Sequence, residues 1–137
     1  MKSFALATVA AVLLTGSALA ADDFAKAPPA APYKNVSTLV KLPDFVPGLG
    51  QLYVDPATLP AGPFLAYDHD GKLVSTVYML PVKDLNPNKT FNDMAAPGGA
   101  VDHVDVYFNA GHPGVEEPHA HVVLWHVPKT DEAKVAK

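Results

Sequence analysis

The chain has no cysteine and, across its 137 residues, no arginine. Without thiols there is no disulfide framework, no thiolate metal site and no cysteine nucleophile, so any metal must be held by histidine, carboxylate or carbonyl. Without arginine the bidentate grip on phosphate and guanine is missing. Setting Lys2 aside, nine lysines face 14 acidic residues, a formal −5. Nucleic acid and an anionic membrane surface are therefore not expected partners. Long apolar runs are also scarce. The one example, Phe4 to Leu14, is too short to span a bilayer. It lies between Lys2 and the small-residue step Ala18-Leu19-Ala20, the pattern of a cleavable export signal.

Cleavage after Ala20 leaves Ala21–Lys137, 117 residues, the size of one domain with a single core. A periplasmic or secreted protein with no membrane span after cleavage is expected. Fourteen prolines leave few windows for a helix. The expected fold is mainly β: an antiparallel sheet, small sandwich or barrel-like form with little helix. Residues 21–35, rich in alanine and proline, read as a mobile tether. Residues 36–128 read as the β-rich domain, and 129–137 as a charged tail too short to hold a helix alone.

Two hairpins stand out. Pro63–Pro81 alternates around the turn Asp68–Gly71, which places His69 at a solvated tip. The second pairs Val101–Phe108 with His119–Val127 across the Gly-His-Pro-Gly loop, residues 111–114. Alternation puts His103, Asp105 and Tyr107 on one face of the first strand, and His119, His121, Val123 and Trp125 on one face of the second. Val104, Val106 and Phe108 turn the other way, as does His126, which is expected to be a core or edge residue. A loop symmetric about Pro113 would set Asp105 opposite His121, Tyr107 opposite His119 and His103 opposite Val123. A slip of one residue would separate the histidines from Asp105.

In that register, three imidazoles and a carboxylate can converge on one ion. His103, His119, His121 and Asp105 are the candidate ligands, with His112, Glu116, Glu117 and Tyr107 as accessory groups. The cofactor expected is one divalent metal ion; zinc, copper, iron, nickel and manganese are not distinguished by such donors. Alternatively, the His/Asp cluster is purely structural, its members satisfying one another's hydrogen bonds. The chain is then a nonmetal binder of a small ligand, lined by Tyr53, Phe64, Tyr67, Tyr78, Phe91 and Trp125, or an envelope interaction module. No phosphate cradle, Gly-x-Ser-x-Gly elbow or His-Glu-x-x-His helix specifies a reaction, and enzymatic activity stays open.

The segment Gly114 to His121 resembles the first cupin motif, but no glutamate follows it within Val122 to Trp125, and the second cupin motif has no counterpart. A closer resemblance rests on Gly62-Pro63, Gly71-Lys72, Tyr78-Met79-x-Pro81, Val101-Asp-His-x-Asp105, Gly111-His-x-Gly114 and Pro118-His119. These residues resemble a family of small exported bacterial domains of unknown function that includes a sigma-E-regulated exported protein of Thermus. The resemblance covers about Leu49 to Val127. It implies a compact β-rich fold with the histidine hairpin as its most distinctive part, and supplies no ligand or activity. Ala120-His121 stands where the family pattern implies an acidic residue; if a carboxylate belongs to a site shared by the family, His121 replaces it here.

Overall fold

The computed structural model describes residues 21–137; the expected export signal, residues 1–20, lies outside the described residues. Six strands, β1 (Lys34–Asn35), β2 (Gln51–Val54), β3 (Phe64–Tyr67), β4 (Leu73–Pro81), β5 (His103–Asn109) and β6 (His119–Trp125), form one antiparallel sheet in the order β1-β2-β3-β4-β6-β5. The sheet is open, with β1 and β5 at its edges, so the antiparallel sheet is the observed form and a closed barrel is not. Among the described residues the helical segments are all short 3-10 turns. None is long and apolar enough to cross a membrane.

Local chemistry accounts for the first hairpin. Asp68 caps the turn between β3 and β4: its carboxylate accepts from the backbone N–H of Asp70 and Lys72, both at 2.9 Å, while Gly71 takes a left-handed φ of 70°. The β-branched and aromatic run that follows becomes β4, buried along nearly its whole length because it sits at the centre of the sheet and is covered on both faces.

Each face has its own core. On one face Leu52, Val54, Phe64, Val77, Met79, Val123 and Trp125 pack beneath the chain that includes Val40, Leu42, Phe45, Val46 and Leu49, and beneath Val135. At roughly 1.5 to 3 kcal/mol for each large apolar side chain withdrawn from water, this layer dominates the driving force. On the other face Tyr53, Leu65, Tyr67 and Leu73 are covered by Phe24, Ala27 and Tyr33.

Both ends of the described chain therefore serve as cover. The segment expected as a mobile tether lies on the sheet: Phe24 is buried, its carbonyl accepts from the Tyr67 hydroxyl at 3.0 Å, and the Ala27 N–H donates to the Gly71 carbonyl at 2.8 Å. The charged tail, too short to hold a helix alone, forms the 3-10 segment Lys129–Val135. Buried Val135 anchors it, and the Val135 carbonyl accepts from the Gly48 N–H at 2.6 Å. In both cases apolar side chains, Phe24 with Ala27 and Tyr33 at one end and Val135 at the other, find a place on the sheet, and burial outweighs the segment's low intrinsic order.

Candidate metal centre

The second hairpin forms from the strands expected, with the predicted sharing of faces but a different register. Tyr107 lies opposite His121, Asp105 opposite Val123, His103 opposite Trp125 and Asn109 opposite His119. Relative to symmetry about Pro113 the strands are offset by two residues. Parity survives an even shift, so the histidines remain on one face with Asp105; the direct pairs change.

The cause is the loop. His112 to Val115 is itself a tight turn, with reciprocal backbone hydrogen bonds of 2.9 and 3.0 Å between His112 and Val115. Proline follows His112, and Gly114 takes φ 89° at the third position, as a type II turn requires. A Cβ on Gly114 would also come within 2.9 Å of Val40. This turn folds His112 back over β6.

The two-residue offset divides the four expected ligands. His112, His119 and His121 make one group and His103, Asp105 and Glu132 another; within each, one ligand atom from every residue lies within 4.8 Å of the others. His103 and Asp105 are thus not brought to His119 and His121, because the offset sets them one and two rungs further along the strand.

In the first group His119 and His121 are buried on the core face, and their Nε2 atoms stand 2.9 Å apart. The His112 ring meets both edge-on, with centroids 4.9 Å from His119 and 5.8 Å from His121. Each buried imidazole is oriented through its other nitrogen. His119 Nδ1 is 2.7 Å from the Glu117 backbone carbonyl, which can only accept, so this nitrogen carries the hydrogen. His121 Nδ1 is 3.0 Å from the Tyr107 hydroxyl. Burial, and then the positive charge that His119 and His112 would carry, push the His121 pKa down to about 4. Its imidazole is therefore neutral at neutral pH, as a metal ligand must be. Burial and the Asp105 carboxylate raise the Tyr107 pKa, which keeps its hydroxyl protonated.

The second group is an ion-pair network. His103 holds Asp102 through Nδ1 at 2.8 Å and Glu132 through Nε2 at 2.6 Å, and these two carboxylates, Asp102 first, raise its pKa. The ring stacks on Trp125, whose Nε1 donates to Asp105 at 2.9 Å. Both ring nitrogens of His103 are committed to carboxylates, and the network fastens the C-terminal segment to the sheet.

The accessory residues separate as well. Tyr107 and His112 adjoin the buried pair. Glu117 takes part through its carbonyl alone, since its carboxylate pairs with Lys83 at 2.7 Å, and Glu116 is exposed. His126 accounts for itself on the other face, with ring nitrogens 2.8 Å from the Thr76 hydroxyl and 3.0 Å from the Ala100 carbonyl. His69 stacks on Phe45 at 3.7 Å. One participant escaped the sequence reading: Glu132 lies in the tail and gives no local signal of its long-range partner. His112, expected as an accessory group on the loop, stands in the group with His119 and His121.

Beside the histidine triad lies a cavity of about 290 Å³. His112, His121, Tyr107 and Asn109 line one end, and Val36, Leu42, Leu52, Phe64 and Met79 line much of the rest. Of the aromatics proposed as a ligand groove, only Phe64 lines it. Tyr53 and Tyr67 belong to the core of the opposite face.

A family model described as TTHB210-like, hypothetical protein TTHB210, matches residues 68–108. The crystal structure of hypothetical protein TTHB210 from Thermus thermophilus is similar at 48% sequence identity with a TM-score of 0.62; the match covers 69% of this chain and 93% of that one. Comparison with curated proteins finds no match.

Proposed function

As the chain belongs to the TTHB210-like family, whose matched members carry no stated activity, we propose from its own residues that it binds one divalent transition-metal ion through His112, His119 and His121. The observation that carries this reading is the 2.9 Å approach of two buried imidazole Nε2 atoms with a third imidazole against both. Two nitrogens about 2.0 to 2.1 Å from one tetrahedral ion stand roughly 3.3 Å apart, so small ring rotations suffice to admit a metal. The Glu117 carbonyl and the Tyr107 hydroxyl supply the outer hydrogen bonds that such ligands use to fix tautomer and orientation. Three imidazoles without a carboxylate favour zinc, copper, nickel or iron over manganese. With the export signal read from residues 1–20, the protein would hold its ion outside the cytoplasm.

A second reading has its own support. The metal-free hydrogen bonds close into a chain: the Tyr107 hydroxyl donates to His121 Nδ1, His121 Nε2–H donates to His119 Nε2, and His119 Nδ1–H donates to the Glu117 carbonyl. A purely structural network satisfies every partner. The readings separate on metal analysis of protein purified without a nickel column, beside the double variant His119→Ala/His121→Ala. One equivalent of metal in the native protein and none in the variant is expected. Equal metal in both, or none in either after exposure to zinc, leaves the structural network as the answer.

A further inference from the structure

We propose that the cavity beside the triad receives an aliphatic monocarboxylate, its head group bound to the metal and its chain lying among Val36, Leu42, Leu52, Phe64 and Met79. This rests on the metal reading above and adds the class of ligand.

The first argument is charge. A divalent ion held by three neutral imidazoles keeps both positive charges in a largely buried site, and such a charge needs an anion beside it. The neighbouring carboxylates are engaged elsewhere: Asp105 accepts from the Trp125 indole, Glu132 is held by His103, and Glu117 is paired with Lys83. The fourth ligand then comes from solvent, either hydroxide or a carboxylate, and the lining decides between them.

The second argument is the lining. Three imidazoles leave a tetrahedral ion one open position. His112 and His121 both line the cavity, whereas His119 does not, so the open side faces the apolar space. Apart from the histidine end with Tyr107 and Asn109, the walls are hydrocarbon and sulfur. Water gains little there, and an alkyl chain gains about 0.8 kcal/mol for each methylene it buries.

The third argument is size. At about 30 Å³ for each non-hydrogen atom, a cavity of about 290 Å³ holds roughly ten such atoms, the count in octanoate.

Calorimetric titration of the zinc-loaded protein with octanoate, acetate and octanol tests this. Octanoate is expected to bind at least tenfold more tightly than acetate, which lacks the chain, and than octanol, which lacks the anion. Removing zinc should weaken octanoate at least tenfold. Leu42→Trp, which fills the cavity from the covering chain, should retain zinc and lose octanoate. The comparison of the three ligands on the unaltered protein decides the matter even if that variant misfolds. Acetate matching octanoate, or octanoate binding equally with and without zinc, overturns the proposal while the zinc stoichiometry stands on its own. Failure of the native protein to take up zinc overturns the metal reading itself, and this proposal with it.

Discussion

His121 shows how much one residue can carry. Its imidazole is buried, bonded at both nitrogens and held at a pKa of about 4, below the value near 6.5 of an unfolded chain. Between those values the unfolded state binds the extra proton, so the stability of the metal-free protein falls as pH drops from about 6.5 towards 4 and is insensitive to this group above 6.5. The full loss is on the order of 3 kcal/mol. Denaturant unfolding of wild type and His121→Gln at pH 7 and pH 4.5 should show a steep acid loss for the first and a shallower one for the second; equal slopes would contradict the assignment. His103 has the opposite sign. Its raised pKa means that its contribution is present below about 6.5 and is lost as pH rises through the folded value. Tyr107→Phe removes the hydroxyl partner of His121 Nδ1 and should weaken zinc binding by about 10- to 100-fold with little change in fold, read by competition with a chromophoric chelator.

Among the elements, the turn His112–Val115 decides the site more than either strand does. It sets the two-residue offset and delivers the third imidazole. Gly114 adopts φ 89° against Val40, so Gly114→Ala combines backbone strain with a steric clash. A cost of about 1 to 3 kcal/mol in stability is expected, with zinc affinity falling as His112 is displaced. His112→Ala at the same turn should lower zinc affinity while leaving stability nearly unchanged, and comparison of the two variants separates loss of the ligand from loss of the turn. At the other end, Glu132→Ala frees one nitrogen of His103 and loosens Lys129–Val135. Amide exchange should quicken in that segment and stay slow in β6.

For the whole molecule, metal binding to the folded state alone should raise stability by mass action, by about 2.7 kcal/mol at a zinc concentration one hundred times the dissociation constant. Thermal unfolding with and without zinc reads this as an upward shift of several degrees, and the shift should vanish in His119→Ala/His121→Ala. The sheet also carries an unusual distribution of apolar surface. Val104, Val106 and Phe108 on edge strand β5 are 51, 66 and 65% exposed, while His119 and His121 face the core. Alternation in the sequence separates these two faces correctly. The folded chain buries the histidine side rather than the aliphatic one, because Val40, Leu42, Val46, Leu49 and the tail cover it.

What the sequence determined by itself is local: period-two alternation and turn chemistry. Absent cysteine limited the donors, proline limited helix, Asp68–Gly71 set the first turn, and parity put His119 and His121 on a shared face with Tyr107. These follow from interactions within a few residues of one another. What only the tertiary structure decided is everything that depends on which distant segments meet. The offset of β5 against β6 split one constellation into two, Glu132 reached His103 from the tail, and Phe24 and Val135 turned apparent tethers into cover. The reason is physical. An even shift in register leaves alternation untouched while moving each partner by about 7 Å, more than the reach of a coordination bond.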